Sequence, residues 1–212
     1  MTTTNTEQTA PARKKGRPLS FDREDALHQA MLLFWRHGYE ATSLNDLTSK
    51  LGVKPSSIYT VFGDKKHLFL EAVERYLSGP VTSESIIAQA ANGRDAALDL
   101  MRASALGFTG ADTPAGCLLA SSAISCSDAA SDVKEELAAI RRGIEARLRD
   151  KIASSVHSGL MPASSNAEAL ARLTMAVIQG MSTLARDGAT RDQLLLVVDA
   201  AMQAWPAWQN SP

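Results

Sequence analysis

The 212-residue sequence predicts an all-α fold, and three observations predict it. Apolar residues recur at three- and four-residue spacing in one segment after another, the pattern of helices that bury one face. No stretch alternates with period two for long enough to argue for a sheet. Residues 81–212 hold 28 alanines in 132 positions, and alanine is the strongest intrinsic helix former.

The first helix is expected between Phe21 and Gly38, with Leu27, Ala30, Met31 and Phe34 as its buried stripe and Asp22 as its N-cap. Ser43 followed by Asp46 reads as an acidic capping box for a second helix of about nine residues that stops at Gly52. Pro55 suits the first turn of a third helix, with Ile58, Val61 and Phe62 turned inward and Gly63 at its end. A fourth should start after Asp64 and run to about Leu77. Further helices are expected near 82–91, 94–109, 115–126, 129–157, 166–187 and 191–204, the last two opened by Ser165–Glu168 and Thr190–Gln193.

Composition narrows the class. With 45% hydrophobic and 21% charged residues and only two cysteines, neither a disordered chain nor a disulfide-stapled secreted scaffold fits, so a reducing cytoplasm is the expected compartment. No apolar run reaches the roughly 18 residues of a membrane span, and the Thr-rich start lacks the apolar stretch of a signal peptide. The net charge of −1 hides an asymmetry: residues 1–66 carry ten Lys/Arg against seven Asp/Glu. Arg13, Lys14, Lys15 and Arg17 cluster in a segment without apolar periodicity, which reads as a mobile arm suited to phosphates or as a solubilising tail.

Two short helices joined by a Gly-containing turn, behind a longer amphipathic helix, form the helix-turn-helix pattern. The outward set of the third helix is Lys54, Ser56, Ser57, Tyr59 and Thr60, one cation and four hydroxyls. Such a face can donate to and accept from phosphates and base edges, although Ser and Thr could equally be solvated. The run from Thr42 to Phe69 keeps Gly52-Val53, then Ser57-x-Tyr59, then Phe62-x-x-Lys65, and over about residues 20–76 it resembles the DNA-binding domain of the tetracycline-repressor (TetR) family of bacterial regulators.

The resemblance implies a homodimer on a palindromic operator in double-stranded DNA, with a basic arm at 1–19, a DNA-binding domain at 20–64 and a ligand-binding and dimerisation domain at 65–212. It also implies that Ser43 and Asn45 touch the backbone or a flanking base, that Ser56, Ser57, Tyr59 and Thr60 occupy the recognition helix, and that Tyr59 and Lys65 bind phosphate. The recognition helix departs from strong direct readers in having no Arg, Asn or Gln to bond guanine or adenine in bidentate fashion. Specificity should then lean on hydroxyls, thymine methyls, Lys54 and the arm, where Lys15-Gly-Arg17-Pro18 resembles a minor-groove hook.

In the C-terminal part, Leu170, Leu173, Val177, Met181 and Leu184, then Leu194, Leu195, Val198, Ala201 and Met202, give the last two helices broad apolar faces. They read as a dimer interface or as an ordinary internal core. An inducer pocket is expected among helices four to eight, lined by residues such as Met101, Ala105, Phe108, Leu118 and Met175, and the scarcity of inward charge favours a small, largely apolar ligand. Cys117 and Cys126 admit a thiol-sensing repressor, although a free Cys is usually a small buried hydrophobe. His67 and Glu71 stand four apart as a surface pair; no metal-ligand spacing, nucleophile motif or phosphate loop is present, so neither an enzyme nor a cofactor is expected. A helical partner-binding module without DNA function is the competing class.

Overall fold

The structure, a computed structural model, describes residues 21–122 and 130–206; the basic arm and Cys126 lie outside them. Among the described residues ten helices and no strands are present. They are α1 (Arg23–His37), α2 (Leu44–Leu51), α3 (Pro55–Phe62), α4 (Lys65–Leu77), α5 (Ser83–Gln89), α6 (Gly93–Phe108), α7 (Leu118–Ser121), α8 (Ser131–His157), α9 (Ala167–Arg186) and α10 (Arg191–Gln203).

Local chemistry sets the ends of these helices. The Asp22 side chain accepts from the N–H groups of Glu24 and Asp25 to open α1, and Ser43 and Asp46 cap each other's backbone at the start of α2. Gly52, with φ 64° and ψ 28°, takes the left-handed position that ends α2. Two expectations are corrected. Helix α9 is capped by Asn166, whose side chain accepts from the Ala169 N–H, so Ser165 is not its cap. Within the helix expected at 115–126, the described part is helical over Leu118–Ser121, because Gly116 has φ 81° and Cys117 is extended, which delays the helical turn to Leu118; residues 123–126 lie outside the described residues.

Two apolar cores organise the chain. In the first, Phe34, Leu47, Ile58, Leu68 and Phe69 share one core, with α1 packed on α4 and α2, and α3 packed between α2 and α4; Leu118, Val133 and Leu137 join from α7 and α8. Phe69 stands edge-on to Phe34 with ring centroids 5.0 Å apart. The second unites α5, α6, α8, α9 and α10 around Met101, Leu148, Ile152, Met181, Leu194 and Val198. Between them, the Trp35 indole N–H donates to Gly116 O at 2.9 Å, and Arg186 donates to the α1-end carbonyls of Trp35 (3.2 Å) and Arg36 (2.9 Å). No described helix is long and apolar enough to cross a membrane.

Candidate nucleic-acid interface and ligand cavity

Burial of Ile58 and Phe62 on one side of α3 fixes which residues face outward. Lys54, Ser56, Tyr59 and Thr60 are exposed, Ser57 is half-buried, and Tyr59 keeps 51% of its surface in solvent. A phenol left this bare on an eight-residue helix is a large ring that the fold has not used for packing. The Thr60 hydroxyl donates back to Ser56 O at 2.7 Å, so what it presents outward is an acceptor lone pair and a methyl group.

Neighbouring elements frame that face. Ser43 and Asn45 are both exposed at the start of α2. Hydrogen bonds from the Ser43 hydroxyl and then its backbone N–H hold the Asp46 carboxyl below its ordinary value of 3.8. Lys65 opens α4 with its Nζ 4.5 Å from the Tyr39 ring centre and 3.4 Å from Glu40 O, a placement that restrains a long side chain at the positive end of a helix. The structure thus brings Ser43, Asn45, Lys54, Ser56, Ser57, Tyr59, Thr60 and Lys65 together on one described unit, while Arg13, Lys14, Lys15 and Arg17 lie outside the described residues. The sequence-level pairing of His67 with Glu71 is replaced: His67 sits 3.0 Å from Asp64, and Glu71 accepts from Arg23 at 2.5 Å.

A cavity of about 270 Å³ lies where α4, α6, α7, α8 and α9 meet. Phe108 and Met175 line it as expected from sequence. Met101, Ala105 and Leu118 do not; each is fully buried in a core. Sequence periodicity marked them as inward-facing but could not separate a packed interior from a cavity wall. Residues that periodicity missed include Tyr76 and Leu77 at the end of α4, Ile144 and Arg141 on α8, and Ile178 on α9. Cys117 also lines the cavity, and the Tyr76 hydroxyl donates to its Sγ at 3.5 Å. Burial, followed by the neighbouring Cys117, pushes the Tyr76 phenol well above its ordinary value, so it remains a proton donor. Among the described residues, no group of three or more His, Cys, Asp or Glu could hold a metal ion.

The chain is a helix-turn-helix protein by fold, and comparison with known proteins places it in a family. Residues 26–72 match the family described as bacterial regulatory proteins, tetR family, and residues 96–205 match the tetracyclin repressor-like C-terminal domain. The chain is 33% identical over 196 residues to the HTH-type transcriptional repressor ComR of Escherichia coli K12, covering 92% of this chain and 93% of that protein. It superposes with a TM-score of 0.85 and 34% identity on a cysteine mutant of the TetR family regulator CifR complexed with 26-bp operator DNA, covering 90% of this chain and 100% of the other. The reduced form of E. coli NemR shares the fold at 20% identity and a TM-score of 0.69, over 87% of this chain and 97% of its own. This chain belongs to the tetR family of bacterial regulatory proteins and is a transcription regulator.

Proposed function

We propose that two copies of the chain hold a two-fold operator through their α3 helices and repress transcription until a small, largely apolar ligand fills the cavity. The exposed Lys54–Ser56–Tyr59–Thr60 face of α3 carries the DNA half of this reading. The ligand half rests on α4, whose first residue is Lys65 and whose last two, Tyr76 and Leu77, line the cavity. A 13-residue helix is about 20 Å long, so a tilt forced at the cavity end is delivered to the phosphate-binding end. Ser43, Asn45 and Lys65 grip the backbone, and Arg17 reaches a flanking minor groove.

The dimer contact falls on α9 and α10. Leu184 is 42% exposed and Leu196 68% exposed, and Ala176 and Gly180 are open on the same side of α9 as Leu184. Apolar and small residues left bare on two long helices suit a self-complementary four-helix contact. Two half-sites should then lie about one helical turn apart, or a multiple of it. Selecting bound fragments from the source genome and footprinting them tests this reading: a two-fold site protected at that spacing supports it, and unstructured binding without half-sites overturns it. Cys117 on the cavity wall supports a second, thiol-based reading, in which the sulfur adds to an activated alkene and its proton passes to the adjacent carbon. DNA release by such an electrophile that persists in Cys117→Ser removes that alternative.

A further inference from the structure

We propose that the cavity takes a small monocarboxylic acid with an apolar body, its carboxylate seated against the Arg141 guanidinium and its body among Tyr76, Phe108, Ile144 and Met175. This deepens, and rests on, the reading of the cavity as the inducer site. Among the described residues that line the cavity, Arg141 is the one charged side chain, and no Asp or Glu stands with it. Its Nη1 donates to Leu119 O at 2.8 Å, which pins the guanidinium to the wall and leaves further N–H groups of its fork for a ligand.

Burial draws the Arg141 guanidinium below its ordinary value, and the like charge of Arg142 acts in the same direction. Cys117 acts the other way. A half-buried cation with no carboxylate partner among the described residues, facing a largely apolar hollow, is a desolvation cost that an incoming anion offsets. A planar carboxylate matches the guanidinium fork in two parallel hydrogen bonds. The Tyr76 hydroxyl currently donates to sulfur, a weak acceptor, and can exchange it for a carboxylate oxygen. The volume of about 270 Å³ sits at the lower end of small-molecule sites and limits the body to a short chain or a single ring.

Binding is measured by calorimetry on the full chain without DNA, titrated with octanoate and phenylbutyrate and with the matching primary amides, and release of operator DNA by the same compounds is read separately by anisotropy. The acids are expected to bind about ten- to a hundredfold tighter than their amides, the difference a charge-assisted hydrogen bond makes. In Arg141→Gln that preference should vanish while amide binding stays, and Arg141→Lys should keep part of it. Should Arg141→Gln not fold, which its circular dichroism melt reports, the acid-against-amide contrast in the unaltered chain and the Lys variant decide the matter. Equal binding of acids and amides, a preference that survives in Arg141→Gln, or no acid binding by about 1 mM overturns the assignment. Release of operator DNA by the amides alone overturns the acid assignment and leaves the inducer reading standing. Preferential binding of acids without any DNA release upholds the assignment and overturns the inducer reading.

Discussion

Replacing Gly116 by Ala strikes the seam between the two cores. Gly116 has φ 81°, a conformation that costs a residue with a Cβ about 1–2 kcal/mol. A Cβ built there stands 2.8 Å from Ser182 O, 2.8 Å from Arg186 Cγ and 3.0 Å from Ser182 Oγ. The first of these is backbone and cannot swing aside, so overpacking adds about 1–3 kcal/mol. The same loop accepts the Trp35 indole N–H at Gly116 O, and the Cys117 N–H donates to Ser182 Oγ at 2.8 Å. Any shift that relieves the clash loosens the bonds tying α1 to α9. The sum, about 2–5 kcal/mol, corresponds to a melting temperature lower by about 5–20 °C for a chain of this size. Calorimetric or dichroism melts of both proteins, at one fixed protein concentration because a dimer's melt depends on it, measure the change. A melting temperature within about 2 °C of the parent refutes the reasoning.

Further outcomes follow from the same geometry. Tyr59→Phe should weaken operator binding about tenfold by removing a hydrogen bond to phosphate, with stability unchanged within about 0.5 kcal/mol because the ring is half in solvent; anisotropy titration and melts check both. Deleting residues 1–18 should flatten the salt dependence of DNA binding by about 0.9 in log–log slope for each phosphate that the arm neutralises in the full chain; an unchanged slope removes the arm from the interface. Because Asp46 is held below its ordinary 3.8, what its charge adds to stability is complete above the unfolded-state value and is lost as pH falls through the lower folded-state value. The melting difference between the parent and Asp46→Asn should therefore be present at about pH 6 and shrink as pH falls below the ordinary carboxylate value of 3.8, and a pH-independent difference contradicts that cause. Leu196→Asp should yield monomers by light scattering at micromolar protein, since the side chain is 68% exposed in one copy and the proposed dimer contact would bury it.

The helices were legible wherever local chemistry and periodicity agreed. Asp22, Ser43 and Thr190 cap as their spacing requires, and Gly52 stops α2 through its positive φ. The short α7 was not legible, because Leu118, Leu119 and the surrounding alanines satisfy helical spacing while the backbone at Gly116 and Cys117 forbids a helix there. The outward face of α3 could be read because Ile58 and Phe62 leave a single way to bury that helix. The cavity could be read only in part: whether an inward residue packs against a neighbour, as Met101 does, or faces a hollow, as Met175 does, depends on distant helices. Arg141 was invisible from sequence, since a charged position on a polar helix such as α8 usually points to water.

The central claim is that the exposed hydroxyl-and-cation face of α3, with Lys65 beside it, grips duplex DNA. Its most direct measurement is the affinity of the full chain for a random duplex across a range of salt concentrations, repeated with Tyr59→Phe and Lys65→Ala. The account predicts a steep fall in affinity with rising salt, a shallower slope for Lys65→Ala and weaker binding for Tyr59→Phe. Binding that ignores salt, or that neither substitution alters, contradicts the assignment of the DNA contacts to α3 and Lys65.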